Sequence, residues 1–233
     1  MISQLVVFGD SWTYGAELEL TEASRQCESA DSYRLSNSFS GLIAKHYNLN
    51  LQNYAIQGGS LQSMIWEFES WIYNQKNIQN SLLLFGLTMP LRQSWWNNLE
   101  KKYEHSIVLN NAQDRNNNFF HLNKIWYVLS SSNWLAVKQY QTAVYLFSGL
   151  CGQLKIPFVQ FNIFPKNNFE IPFSSVINEN ESIVQMLQRI QKENPNQRLT
   201  YQHHPSELGH QYIAKYLIDY IDQNHLLDKL PVD

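Results

Sequence analysis

Two residues of this chain, Ser11 and His204, sit in surroundings that prepare them for chemistry. Ser11 lies in Gly9-Asp10-Ser11-Trp12-Thr13-Tyr14-Gly15, directly after the apolar run Leu5-Val6-Val7-Phe8. A strand ending there delivers the hydroxyl to the carboxyl edge of a parallel sheet, where open α/β folds bind ligands. Gly9 leaves room for a tight turn, and a helix starting behind it would aim backbone N–H groups at a developing oxyanion. A serine hydroxyl is a weak nucleophile until a base accepts its proton, so the turn alone reads equally as a capped strand-to-helix connection. His204 lies in Tyr201-Gln202-His203-His204-Pro205-Ser206-Glu207-Leu208-Gly209-His210, a loop that can present an imidazole to a nucleophile from another strand end. Pro205 keeps the residue before it out of helical conformation, and Ser206 is placed to cap the helix that follows.

Two further segments place small or polar residues after apolar runs. Asn53-Tyr54-Ala55-Ile56-Gln57-Gly58-Gly59-Ser60 has the glycines of a βα turn, where backbone can approach a ligand closely. Phe85-Gly86-Leu87-Thr88-Met89 ends a third apolar run, with Arg92 close behind. Arg92 reads as a surface ion pair in preference to a contact for an anionic substrate. His203 and His210 read as structural, one bordering the site and one capping a helix. The three histidines lack metal-ligand spacing and a carboxylate, so no metal and no cofactor is expected.

The elements that must carry these residues follow from alternating short apolar runs and long amphipathic segments, the pattern of an α/β fold. Strands are expected at Leu5–Phe8, Leu51–Ala55, Leu82–Phe85 and Pro157–Phe161. Helices are expected near Phe39–Tyr47, Leu61–Asn77, Trp134–Leu154, Glu181–Lys192 and Glu207–Asn224. Leu61, Met64, Ile65, Phe68, Trp71 and Ile72 share one helical stripe, as do Val137, Tyr140, Val144, Phe147, Cys151 and Leu154; both read as core faces. The polar stretch Glu17–Asn37 reads as a loop over the site. Residues 88–133, rich in Asn and aromatics, read as a lid or substrate-binding insertion within a single domain spanning 1–233.

Composition narrows the function classes. With 44% hydrophobic and 16% charged residues the 233-residue chain is globular, large enough for one sizeable core. A net charge of -3 gives no pull toward nucleic acid or anionic lipid. Cys27 and Cys151 are the two cysteines, and free thiols in a reducing compartment are expected. Without a leader-like start or an apolar run of membrane-spanning length, a cytoplasmic protein with no membrane span is expected. The Gly-rich turn has neither a P-loop's Lys-Ser/Thr ending nor G-x-G-x-x-G spacing, which excludes the common nucleotide-binding motifs.

The motifs resemble those of the GDSL/SGNH hydrolases. Gly9-Asp10-Ser11-Trp12-Thr13-Tyr14-Gly15 matches that family's GDSxTxG block at every defined position, at the same place after a first strand near the N-terminus. The resemblance implies a three-layer α/β/α sandwich with a mostly parallel, flavodoxin-like sheet. It implies Ser11 as nucleophile, His204 as base and Asp10 as a structural residue. For the oxyanion hole it implies Ser11 and Gly58, with Gly59 as second choice, through their backbone N–H groups. In the third block Gly86 matches, but Thr88 stands where the family has the Asn that donates to the oxyanion, and the Thr hydroxyl is the expected substitute.

The last block departs further. Tyr201 occupies the place of the family's triad Asp. A backbone carbonyl near Tyr201 is the expected acceptor for His204 Nδ1, giving a Ser–His dyad. A distant acid such as Asp31 or Glu207 remains the alternative. The four blocks, near residues 9, 53, 86 and 204, fall in the family's order. They imply ester hydrolysis through an acyl-enzyme on a small-molecule or acylated substrate. Two alternatives stay open: acyl transfer to an alcohol or amine from the same site, and a non-catalytic binding protein on the same fold.

Overall fold

Side chains of a strand alternate between the two faces of its sheet, and here that alternation divides one chain between two cores. In β1 (Gln4–Phe8) Leu5 and Val7 join one core while Val6 and Phe8 join the other. Strand β3 (Ser81–Leu87) divides likewise, Leu82 and Leu84 against Leu83 and Phe85. Such a sheet must be covered on both sides, which is why its strands read as unbroken apolar runs. The computed structural model describes residues 1–27, 29–90, 92–97, 102–106, 133–165, 175–178 and 180–228.

Strand β2 (Asn50–Asn53) and, after a two-stranded antiparallel ribbon of β4 (Gln93–Asn97) and β5 (Lys102–Ser106), strand β6 (Phe158–Asn162) complete the main sheet. Its order is β2-β1-β3-β6 and every pairing is parallel. Outside β6, Val176 bridges to Gln160, and Asn178 exchanges two hydrogen bonds with the Asn162 backbone, continuing the sheet edge. The chain winds from β1 to β2 on one side and then crosses to β3 on the other. The switch point therefore lies between β1 and β3, where such sheets open a crevice at their carboxyl ends.

One core is covered by α4 (Phe39–Tyr47), α7 (Ile183–Glu193) and α8 (Glu207–Gln223), through Phe39, Ile43, Met186, Leu187, Ile213 and Leu217. The other is covered by α5 (Leu61–Asn74) and α6 (Asn133–Gln153). Phe68, Trp71, Phe85 and Phe147 form its centre, and both stripes expected of these helices are core faces. The layers are thus α/β/α. Cys151 is buried in this core and Cys27 is exposed, both as free thiols.

Two expectations change. The second strand stops at Asn53 and not Ala55, because the Asn53 side chain accepts the Ala55 N–H and turns the chain at 3.0 Å. Glu17–Asn37 is not a loop: besides a short 3₁₀ turn at Leu18–Leu20, it forms α2 (Glu22–Arg25) and α3 (Ala30–Asn37). Thr21 and Ser29 cap those helices by accepting from Ser24 and Ser32 N–H. The short helix α1 (Ser11–Tyr14) precedes them. Apart from the β4–β5 ribbon and the start of α6, the insertion expected over 88–133 lies mostly outside the described residues.

Candidate active site

The turn after β1 is assembled from side chains that are small where they must be and polar where they are buried. Ser11 is the first residue of α1, and an N–H at that position has no intrahelical acceptor. Asp10 caps the helix: its Oδ1 accepts the Trp12 N–H at 3.0 Å. Its Oδ2 accepts the Thr88 hydroxyl at 2.7 Å and the Arg92 Nη1 at 2.7 Å. Asp10 is fully buried, so the carboxylate is exchanged from water to three donors. Its expected structural role acquires a concrete form here, a clamp holding the β1 turn to the β3 turn.

Arg92 is correspondingly not a surface pair. Its side chain is 13% exposed, pairs with Asp10 and lies over the Phe164 ring. The same clamp corrects the expectation for Thr88. A threonine hydroxyl has one proton, and this one is directed at Asp10 from a side chain buried in the β3 turn. Thr88 is therefore not available as an oxyanion donor in this arrangement.

The glycines of the motifs are demanded by packing. A Cβ on Gly9 or on Gly86 would collide with the side chain of Thr13, which fills the space between the two turns. Gly15 ends α1 at φ +85°, a left-handed cap that returns the chain over Ser11. Gly58 has φ +72°, the other position where glycine is required for backbone reasons. Its turn is laid directly against the Ser11 turn: Ile56 N–H donates to the Gly9 carbonyl at 3.0 Å, and Asn53 Nδ2 to the Thr13 carbonyl at 3.4 Å. Gly59 packs against Gly9 and Ile56 carbonyl oxygens, so a side chain there would strike backbone.

His204 arrives from the opposite end of the chain, in a loop closed by its own backbone. Tyr201 N–H donates to the His204 carbonyl at 2.8 Å, and Ser206 N–H to the Leu199 carbonyl at 2.9 Å. Ser206 caps α8 as expected, accepting from Gly209 N–H. Gly209 has no room for a Cβ because the Leu199 carbonyl lies against it. Of the adjacent histidines, His203 is exposed, whereas the His204 side chain is 19% exposed. His210 is fully buried; its Nδ1 accepts the Phe39 N–H at 3.2 Å, so it caps α4 and not its own helix. Burial, with a smaller contribution from nearby His204, lowers its pKa to about 3.

The expected acceptor for His204 Nδ1 requires a correction. The Tyr201 peptide meets His204 through its N–H, and its hydroxyl engages Glu207. What faces Nδ1 is a carboxylate: Glu17 Oε1, at 3.1 Å. The two atoms are in close contact without a hydrogen bond between them. Glu17 is six residues after Ser11, so the ring is set against the same turn that carries the serine. The two acids first considered are occupied elsewhere. Asp31 pairs with Arg34 at 2.5 Å, and Glu207 accepts from the hydroxyls of Tyr33 and Tyr201.

The structure thus joins the turns of Asp10–Ser11, Gly58 and Thr88 after β1, β2 and β3, and sets His204 against Glu17, six residues after Ser11. Glu17 was missed because no motif spacing marks it, and because its segment reads as polar loop. Among the described residues, no group of three His, Cys, Asp or Glu side chains could hold a metal ion. No described helix is long and apolar enough to cross a membrane.

No family model matches the sequence, and no curated protein matches it. Solved structures that resemble it include a member of the lipolytic G-D-S-L family from Veillonella parvula DSM 2008. That pair shares 13% identity over 93% of this chain and 97% of the other, with a TM-score of 0.40. The psychrotrophic esterase EstA from a Pseudoalteromonas species is 10% identical over 95% and 97% of the two chains, at 0.44. The acetyl xylan esterase Est2A from the rumen bacterium Butyrivibrio proteoclasticus is 12% identical, at 0.45. There 96% of this chain covers 65% of the larger protein.

Proposed function

We propose that this chain is a serine hydrolase of the GDSL/SGNH type, cleaving an ester or related acyl group through an acyl-enzyme on Ser11. The observation that supports the reading is that Ser11 heads α1 at the carboxyl end of β1 while His204, from the last loop, stands 3.1 Å from Glu17, six residues beyond that serine. His204 takes the proton as Ser11 Oγ bonds to the acyl carbon. The oxygen of that carbonyl becomes an oxyanion received by the N–H groups of Ser11 and Gly58. Collapse expels the alcohol, which leaves with the proton from His204. Water, deprotonated by His204, then attacks the acyl-enzyme and releases the acid, restoring Ser11.

Two backbone donors suffice for such a hole in principle, and the Thr88 hydroxyl serves instead to hold Asp10. A fluorophosphonate probe tests the reading without knowledge of the substrate. The intact protein should form an adduct that mass spectrometry locates at Ser11. Ser11→Ala and His204→Ala should each lower reaction on the order of 10⁴-fold, and the double variant little further, because the pair acts as one unit. An intact, folded protein that fails to label would sink the proposal.

A further inference from the structure

We propose that Glu17 is the positioning acid of this site, supplying from the serine's own turn the carboxylate that the resembled family draws from the place occupied here by Tyr201. The inference rests on the hydrolase reading above and adds a residue which that reading does not require. Three independent observations lead to it.

The first is placement. Glu17 Oε1 stands 3.1 Å from His204 Nδ1, and each side chain is only 19% exposed. This is not a solvated surface pair. The other Glu17 oxygen and Nδ1 itself are buried with no hydrogen bond of their own among the described residues, so each has bonding capacity left for the other. Neighbouring carboxylates are directed away: Glu19 toward Gln57, Asp31 toward Arg34, Glu207 toward two tyrosines.

The second is backbone cost. Glu17 has φ +73°, a left-handed conformation in which a residue with a Cβ is strained and glycine is favoured. Strain of this kind persists where the surroundings over-determine it, and it clusters at functional sites.

The third is the way the turn is braced. Arg34, itself buried, donates from Nη1 to the Tyr14 carbonyl at 2.5 Å and stacks on the Tyr14 ring at 3.7 Å. Behind it, the Gly15 N–H and the Ala16 N–H both bond the Ser11 carbonyl, at 3.2 and 3.0 Å. The chain between Ser11 and Glu17 is therefore held to Ser11 itself, and any shift of the serine carries the acid with it.

The role follows from proton bookkeeping. When His204 accepts the Ser11 proton at Nε2, the ring becomes a cation with a proton on each nitrogen. Glu17, remaining a carboxylate, faces the Nδ1 proton and stabilises that cation. In the resting ring it selects the tautomer with the proton on Nδ1, leaving Nε2 free to act.

The test uses Glu17→Gln, which keeps size and polarity but removes the charge, with the fluorophosphonate reaction at Ser11 as readout. The labelling rate constant should fall by roughly 10²–10⁴-fold, the upper end being the loss when a triad acid is made an amide. Melting temperature should stay near wild type. Glu17→Asp, a carboxylate with a shorter reach, should label faster than Glu17→Gln. Glu17→Gly guards against misfolding, since glycine suits the backbone there: it should melt at or above the wild-type temperature and still label slowly. Labelling of Glu17→Gln and Glu17→Gly within threefold of wild type, with Ser11 labelled normally in the parent, overturns the role of Glu17 and leaves the hydrolase reading standing. Failure of the wild-type protein to label overturns both.

Discussion

The turn that carries Ser11 and the loop that carries His204 are built in opposite ways. The Ser11 turn is tied to its neighbours by buried and half-buried polar side chains: Asp10 to Thr88 and Arg92, Asn53 to the Thr13 carbonyl, Arg34 to the Tyr14 carbonyl. The His204 loop is tied to itself, by backbone bonds from Tyr201 to His204 and from Ser206 to Leu199, and by Ser206 Oγ on the Arg198 carbonyl. Buried polar links across strand ends leave little freedom and cost much when one member is lost. A loop closed on its own backbone can change a side chain without unseating its frame. Changes around Ser11 should accordingly register as stability, and changes at the His204 ring as rate.

The largest expected effect on stability is at Arg92. Arg92→Met leaves Asp10 with its charge buried and one donor fewer, and should cost about 3 kcal/mol in denaturant unfolding. That is the low end for breaking a buried ion pair, because Thr88 and the Trp12 N–H stay in place. Loss of under about 0.5 kcal/mol, the scale of an ordinary surface change, would erase the contrast between the two regions. Thr88→Val comes next. It keeps the shape and removes one charge-assisted hydrogen bond, for about 1.5–3 kcal/mol, with turnover within a few-fold of wild type. Unchanged stability with a fall of about 10²–10³ in kcat, the mark of a lost oxyanion donor, would instead return Thr88 to the reaction.

Near neutral pH the smallest effect is that of His210, which lies in α8 outside the His204 loop. His210 is neutral in the fold, its pKa lowered to about 3, while an unfolded histidine titrates near about 6.5. Above the unfolded value His210 contributes its full stability. As pH falls below it the unfolded chain binds a proton that the fold refuses. Stability should then drop by about 1.4 kcal/mol per unit, or about 2 kcal/mol between pH 6.5 and 5, and the decline should continue toward the folded value near 3. In His210→Gln, whose amide oxygen can still accept from Phe39 N–H, that part of the slope should vanish. Equal slopes for the two proteins across this window would contradict the burial assigned to His210.

How much of this was legible in the sequence follows from what kind of interaction holds each part. The sheet and its covering helices rest on apolar periodicity, and β1, β3, α4 and α8 fall within two residues of their expected limits. Ser11, Asp10 and His204 were legible because their types and spacing form motifs. Glu17 was not, since its relation to His204 spans 187 positions along the chain. The helices between Glu17 and Asn37 were hidden by their shortness and polar composition, although the capping residues Thr21 and Ser29 were there to be read. Thr88 and Arg92 were placed correctly on the β3 turn. The partner that commits both, a carboxylate from another strand end, could be found only in three dimensions.

Thr13 carries a consequence for how this corner of the molecule can change over generations. Its side chain occupies the space that a Cβ on Gly9 or on Gly86 would need, and its hydroxyl is buried without a partner among the described residues. The three positions therefore form one epistatic unit. With threonine in place, any larger residue at either glycine is barred. The two glycines open at different steps. Loss of the Thr13 hydroxyl relieves Gly86, where Ile163 Cδ1 at 3.1 Å is the next neighbour, whereas the Cβ of any residue at 13 still lies 2.5 Å from one on Gly9. A side chain gained at either then bars the return of threonine. Substitution here is ordered in time, and the effects of single changes at 9, 13 and 86 will not add.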